Sequence, residues 1–537
     1  MRTGGYEVRA GAVAATAILA STLGCSSVTL SSNNGTTPLV EVVKSQDAAA
    51  LRATLKGGQV RANEQLPDGA TALHWAAYVD DADAVKQLLA AGADPNLANA
   101  EGATPLWLVA ESGDITIASA LLEAGAKPDA ALPSGETVLM RAAWGGNLKV
   151  VKLLIMHHAD VNKKESEKGQ TALMWAVAQK HTDVADALIK AGADVQASSK
   201  AGFTPLLFAA RFGATDAVPL LVKAGANIDY TVPTPTDWGK PHPINLDYRI
   251  KVTSPGASAL LVATVRGQVD TALALLENGA DPNLMNSGFA PLHWAAGTWE
   301  SDWSGAQGIK ASTEYESEKE WIASAGVPVA RKIELVKALL AHGANPNLRI
   351  VLEPQRVGFT KYYMEGLAII GATPLLLAAQ ADDVEVMNLL VAHGADPSVK
   401  LSKMPPGVTR RRVLELGTSP PDNEGATVLM AAAGLGRVVT ETRVTESQAL
   451  EAVKLALKLG NDINGKTADG ETALHGAALA KLNRVVEYLV AHGADINAKN
   501  KDGETPLVYA ERVLQFAGKP MTQRTSTGDL LRHLAAS

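Results

Sequence analysis

The 537-residue chain is poor in aromatic side chains, at 4% Phe, Trp and Tyr, so its core cannot be built from large rings. It has one cysteine, Cys25, which excludes a disulfide framework and a thiolate zinc site within one chain. It has no broad basic footprint: the formal net charge is −7 and the Lys and Arg residues are scattered, which disfavours nucleic-acid binding. The one compact basic run, Arg410-Arg411-Arg412, reads as a solvated loop. Beyond residue 25 nothing looks transmembrane. Apolar content is nevertheless ordinary at 47%, and alanine, leucine and glycine carry it, as closely stacked thin helices require.

Catalytic signatures are also missing. The chain holds no Gly-x-Ser-x-Gly elbow, no His-Glu-x-x-His, no phosphate loop and no Cys-x-x-Cys-His. Gly434-Leu435-Gly436 is too short for a dinucleotide fingerprint, and the acidic group Asp80-Asp81-Asp83 reads as solvated turn residues. His157-His158 lacks a nearby partner that would make a metal site, and His242 stands alone. No enzyme activity and no cofactor are expected.

What is present is a repeat. One block recurs: Gly-x-Thr-Pro/Ala-Leu, then Ala-Ala, then Leu-Leu, then Gly-Ala-Asp/Asn-x-Asn/Asp. The glycines Gly69, Gly102, Gly135, Gly169 and Gly202 are spaced 33, 33, 34 and 33 apart, and Gly470 and Gly503 are again 33 apart. Asp68-Gly69, Asp469-Gly470 and Asp502-Gly503 suit a turn needing positive φ. Thr104-Pro105 and Thr204-Pro205 read as an N-cap followed by proline at the first helical position. Pairs such as Leu88-Leu89 and Leu121-Leu122 give a second helix its buried stripe, and Gly92, Gly125, Gly192 and Gly225 end it.

This pattern resembles the ankyrin repeat, most directly in Thr71-Ala72-Leu73-His74-Trp75-Ala76-Ala77 and Thr472-Ala473-Leu474-His475. The resemblance covers nearly everything from about residue 37 to the C-terminus. It implies an all-α solenoid of about 11 helix-turn-helix repeats with β-hairpin fingers, and a binding function rather than catalysis. His74, His293 and His475 are then the motif histidine, bonded locally to the threonine hydroxyl and backbone.

The expected organisation runs as follows. Residues 1–24 form a signal peptide, 25–36 a flexible tether and 37–62 an N-terminal helical cap. Regular repeats occupy 63–229 and 466–510, repeats with long insertions 230–465, and a C-terminal cap 511–537. The signal reading rests on Arg2 and Arg9 before the apolar run Ala10 to Leu23, shorter than the roughly 20 residues a spanning helix needs. Thr22-Leu23-Gly24-Cys25 resembles the lipobox of bacterial lipoproteins, although Thr22 stands where leucine is commonest. By that resemblance Cys25 is lipidated, Ser26 in place of aspartate favours the outer membrane if the cell is Gram-negative, and the protein is exported to the periplasm or outer membrane. A plainly cleaved, secreted soluble form is the alternative. A membrane contact is expected only through this anchor.

Insertions break the period around 230–254, 300–330, 349–369, 399–423 and 437–447. They hold aromatics, among them Trp238, Tyr248, Trp303, Trp321, Phe359 and Tyr363, which disordered linkers rarely do. In the ankyrin fold the finger tips and first helices line a concave face, and the resemblance places partners there. The variable positions of that face carry Tyr78, Trp144, Phe203, Arg211, Phe212 and Phe289, with Trp299 just beyond. Exposed aromatics of this kind anchor interfaces. The expected function is a scaffold binding another protein, itself a monomer. The alternative is an enzyme, or a small-ligand or glycan binder, with its site formed by the insertions at 230–447. Trp75, Trp175, Phe208 and Trp294 share the position after the motif histidine, where packing is their expected role.

Overall fold

A computed structural model describes residues 39–57, 61–233, 256–297, 327, 329–351, 370–402, 423–435, 445–513, 521–522 and 524–537. Cys25, Trp299 and most residues of the five insertions lie outside them. The described chain is built from short helices in antiparallel pairs, grouped into two units that divide at Ile228/Asp229.

In the first unit the leading helices of the pairs are Ala72–Tyr78, Pro105–Ser112, Val138–Trp144, Ala172–Ala178 and Pro205–Phe212. The following helices are Ala82–Ala90, Ile115–Glu123, Leu148–Met156, Thr182–Lys190 and Ala217–Lys223. Leading helices pack on leading helices and following on following, so each pair buries its face only against its neighbours. Two helices, Leu39–Lys44 and Ala48–Lys56, cover the open end of this stack.

The local chemistry repeats. Thr71, Thr104, Thr137, Thr171 and Thr204 each hold extended φ/ψ and accept from the backbone N–H three residues on, which satisfies a donor the helix start leaves free. Pro105 and Pro205 follow at the first helical position, where no N–H is needed. Paired alanines such as Ala142 and Ala143 are wholly buried and let leading helices approach closely, while Leu88, Leu121, Leu154 and Leu188 fill the layer between helices.

The turn before each leading helix hinges on a glycine. Gly69 has φ 78°, and a Cβ there would stand 2.9 Å from the backbone nitrogen of Ala100 in the next turn. That closeness is used: the Ala100 N–H donates to the Asp68 carbonyl at 2.8 Å. The same link joins Ser166 to Ser134 and Lys200 to Lys168, both at 2.7 Å. Within a turn the bond is Asn99 N–H to Ala103 C=O, 2.9 Å. Strand geometry at these turns is confined to the isolated bridges Ala131–Thr137 and Thr231–Ser258 among the described residues.

The following helices end on left-handed glycines at Gly92, Gly125, Gly192 and Gly225, with one departure: His158 holds φ 65° in the third pair. A side-chain-bearing residue in that conformation costs about 1 kcal/mol. Beyond each end an amide side chain clasps the next repeat. Asn96 Nδ2 donates to the Gly125 carbonyl at 2.9 Å while its Oδ1 accepts from the Lys127 N–H at 2.8 Å. Asn63, Asn162 and Gln196 do the same to Gly92/Asp94, Gly192/Asp194 and Gly225/Asn227.

The second unit repeats the arrangement with leading helices Ala259–Val265, Pro291–Ala296, Pro374–Gln380, Val428–Ala432, Ala473–Leu479 and Pro506–Glu511. Its following helices are Val269–Glu277, Val329–Ala341, Val384–Ala392, Glu446–Lys458 and Asn483–Ala491. Three long insertions leave and re-enter at a turn through one common neck. Val232 pairs with Gly256 and Ala257, Ile350 with Gly371 and Ala372, and Leu401 with Gly425 and Ala426, at 2.7–3.0 Å. The neck residues Val232, Ile350 and Leu401 are buried, so each insertion is closed off at its base by an apolar plug. At the C-terminal end Arg512–Val513 pairs antiparallel with Met521–Thr522, and helix Ser526–Ala536 covers the last two repeat helices.

Candidate functional site

Each leading helix of the first unit presents its fourth and seventh residues after the capping threonine on one side. In chain order these are Trp75/Tyr78, Leu108/Glu111, Arg141/Trp144, Trp175/Ala178 and Phe208/Arg211. Tyr78 is 36% exposed and meets Trp75 edge-on at 6.0 Å, while Lys44 lies 4.5 Å over the other ring. Trp144, Arg211 and Phe212 are half-buried. Phe212 stacks on Phe208 at 6.0 Å and 19°, and the Arg211 guanidinium sits 5.3 Å from the Phe212 ring. Each ring thus has one face fixed on the helix layer, which lowers the entropy a contact would cost.

Two expected contact residues are core instead. Phe203 is 1% and Phe289 6% exposed. Phe203 immediately follows the turn glycine; its carbonyl accepts from Ser199 N–H, and its ring turns inward to meet Phe208 edge-on at 6.1 Å. Phe289 packs on Trp294 at 6.0 Å in the second unit. Trp75, Phe208 and Trp294 are buried as packing residues, and Trp175 is half-buried. Trp299 and Cys25 lie outside the described residues.

The centre of the row is a charged cluster that motif reading passes over. Arg141 stands where the other described repeats carry the uncharged Trp, Phe, Tyr, Leu, Val, Ala or Gly, and it is 1% exposed. Its guanidinium lies between the indoles of Trp107 (5.0 Å) and Trp144 (4.8 Å), reaches Glu111 at 2.5 Å, and is 3.8 Å from Glu136. Burial raises the Glu136 pKa to about 7; Arg141 opposes that rise, and the Glu111, Glu165 and Glu167 carboxylates add to it. The visible signal for this cluster is Arg141 breaking an apolar column.

The motif histidines serve the scaffold. Thr71 N–H donates to His74 Nδ1 at 3.1 Å, so Nε2 carries the proton and donates to the Ala103 carbonyl of the next turn at 3.0 Å. His475 bonds Thr472 and Glu504 in the same way, and His293 bonds Ala290 and Leu348. Burial depresses all three pKa values, that of His293 to about 4, which keeps the rings neutral.

In the second unit a buried polar group closes the last repeat. Tyr509 donates to Glu471 at 2.6 Å, Asn500 donates to Tyr509 and to Glu504, and Arg512 pairs with Glu504 while lying 4.3 Å over the Tyr509 ring. Burial pushes Glu471 and Tyr509 up. Among the described residues no three His, Cys, Asp or Glu side chains gather as a metal site, and no helix is long and apolar enough to cross a membrane.

Stacked helix pairs joined by bonded turns, each with a face of variable side chains, define a helical repeat protein. Family comparison gives the particular class. The model of ankyrin repeats in three copies matches residues 10–99, 77–165, 158–232 and 443–515, and the single ankyrin-repeat model matches 370–400. The first of these covers more than half of the 537 residues, and the chain belongs to the ankyrin-repeat family. No curated protein matches it. Ankyrin repeats are in general modules of protein–protein interaction, and proteins built from them are in general scaffolds rather than enzymes.

Proposed function

We propose that this chain is a monomeric protein-binding scaffold of about 11 ankyrin repeats, exported to the cell envelope, whose partner docks on the leading-helix row of the first unit. The observation that carries the reading is the row itself. Tyr78, Trp144, Arg211 and Phe212 are partly exposed, amphipathic or aromatic, and each is braced by a neighbour. Such residues supply most of the binding energy in protein interfaces. Mounted on hydrogen-bonded repeats, they are held in place before the partner arrives.

The envelope assignment rests on Arg2, Arg9, the Ala10–Leu23 run and Cys25. A lipid on Cys25 would hold the array at the membrane through the Ser26–Thr36 segment. Cys25→Ser is expected to abolish metabolic labelling by palmitate and move the protein to the soluble fraction. Unchanged labelling and fractionation would remove the anchor from the account.

The binding assignment is tested with Tyr78→Ala, Trp144→Ala and Phe212→Ala combined. The expected result is a wild-type helical spectrum with loss of the proteins that co-purify with the native chain. Identical co-purification would count against this face.

A further inference from the structure

We infer that Glu111, Arg141 and Glu136 form a proton-operated clamp on Trp144: the guanidinium pairs with Glu111 while Glu136 is neutral and turns to Glu136 when that carboxyl ionises. The clamp rests on the proposed function for its consequence, because Trp144 belongs to the row assigned to the partner.

The cluster makes fewer bonds than its groups allow. Arg141 is 1% exposed, yet its Nε has no hydrogen-bond partner, and neither has the buried Glu136 Oε1. Such groups are exceptional in folded proteins and call for a reason. One guanidinium stands between two carboxylates and serves them unequally. Glu111 is at 2.5 Å, whereas Glu136 is at 3.8 Å, beyond hydrogen-bond reach. A displacement of about 1 Å would close the second pair. The same guanidinium lies 5.0 Å from the Trp107 ring and 4.8 Å from the Trp144 ring, so a change of partner changes its stacking. Trp107 is buried and Trp144 half-buried, which makes Trp144 the ring with room to respond.

The charges around Glu136 limit the choice to these two carboxylates. Helix Pro105–Ser112 brings Glu111, and its own helix brings Arg141. The next turn carries Glu165, Glu167 and Lys168, and helix Ala172–Ala178 carries no charge. Glu165 is engaged by the N–H groups of Glu167, Lys168 and Gln170 at 2.6–2.9 Å. Glu101 of the preceding turn, Glu167, Lys168, and Lys149 and Lys152 of the following helix are all exposed.

Burial raises the Glu136 pKa to about 7, against the opposing Arg141 and with the neighbouring carboxylates adding to the rise, so the proton moves near neutral pH. Below that pH the guanidinium stays on Glu111 and braces Trp144 as described. Above it the buried anion draws the guanidinium away. Glu111, 34% exposed, is then left as a free charge on the row, and Trp144 loses its brace. A local charge change thus biases an element with two arrangements.

The test labels the full chain with 5-fluorotryptophan and follows the fluorine spectrum from pH 5.5 to 8.5, the Trp144 resonance being assigned by Trp144→Phe. That resonance should shift with a one-proton midpoint near 7, while the Trp294 resonance of the second unit stays still. Glu136→Gln should hold it at its low-pH position throughout. Glu111→Gln should lower the midpoint, since one carboxylate that opposes ionisation is gone. No shift of the Trp144 resonance in the parent chain, or a shift that persists in Glu136→Gln, overturns the clamp. For its consequence, a photoreactive residue at Tyr78 is irradiated in cell extract at pH 6 and pH 8. The adduct should be about tenfold more abundant at pH 6, the most that one proton with this midpoint allows, and equal at both in Glu136→Gln. Equal yields in the parent chain overturn the coupling to the partner. No adduct at either pH overturns the docking reading alone, and the fluorine titration still decides the clamp.

Discussion

Asn96 bonds twice across a repeat boundary: its amide donates to the Gly125 carbonyl at 2.9 Å, and its side-chain oxygen accepts from the Lys127 N–H at 2.8 Å. One side chain thereby satisfies the end of one helix and fixes the start of the following turn. The same two-armed clasp recurs at Asn162, Asn283, Asn347 and Asn464, so the terminal residue of the Gly-Ala-Asp/Asn-x-Asn block is a mortar between repeats. Asn162→Ala removes both arms. It is expected to lower unfolding stability by about 1–2 kcal/mol, read as a shift in the urea midpoint, with Asn162→Asp losing roughly half as much because it keeps the acceptor arm. Equal losses for the two variants would remove the acceptor arm from the account, and no loss in Asn162→Asp would remove the amide donor.

The motif histidines make the fold acid-labile. His74, His293 and His475 have folded pKa values below the usual 6.5, so the unfolded chain takes up their protons first. Their stabilising contribution is complete above about pH 6.5 and is lost as pH falls, for His293 until about pH 4. Stability should fall over that window. His293→Asn, which keeps an acceptor for the Ala290 N–H, should start lower but lose less per pH unit. A variant slope equal to the wild type would show that His293 does not titrate on unfolding.

Glu136 acts in the opposite sense. Its folded pKa is about 7 against a usual 4.5, so the folded chain holds the proton more tightly. The contribution is present below about pH 4.5 and is lost as pH rises through 7. Glu136→Gln should therefore be about 1–3 kcal/mol more stable than wild type at pH 8, with the difference shrinking at pH 5. Equal stability at both values would mean that Glu136 ionises freely.

Arg141 is the countercharge of the same cluster. Arg141→Ala leaves Glu111 and Glu136 facing two indoles without a cation, and a loss of about 3–5 kcal/mol is expected in chemical denaturation. Glu136→Gln in that background should recover part of it.

Much of the architecture is legible in the chain because it follows from local chemistry. The Thr-Pro starts, the glycine ends and the Nδ1 bond of each motif histidine depend on residues within a few positions of one another, whereas the Nε2 bond of each histidine reaches the next turn. The candidate face is less so. Phe203 and Tyr78 both occupy variable positions, yet one is 1% and the other 36% exposed. Phe203 follows a turn glycine and its ring packs inward on Phe208, whereas Tyr78 is the last residue of its leading helix; spacing does not encode that difference. Phe203→Ala should accordingly cost about 3–5 kcal/mol as a core truncation, while Tyr78→Ala stays within about 1 kcal/mol. Arg141 escapes motif reading for a different reason: its role comes from Trp107, Glu111 and Trp144 in two repeats at once. The two-armed clasp is visible as a recurring letter of the repeat, but the partner of Asn96 lies 29 residues away.

The most direct measurement is site-specific photo-crosslinking in living cells. A photoreactive residue is placed singly at Tyr78, Trp144 or Phe212, and as a comparison at Lys86 or Lys152, both exposed on following helices. The account predicts one discrete adduct with another polypeptide from the first three positions and none from the last two. Adducts from Lys86 and Lys152 alone, or no adduct from the leading-helix row, would contradict it.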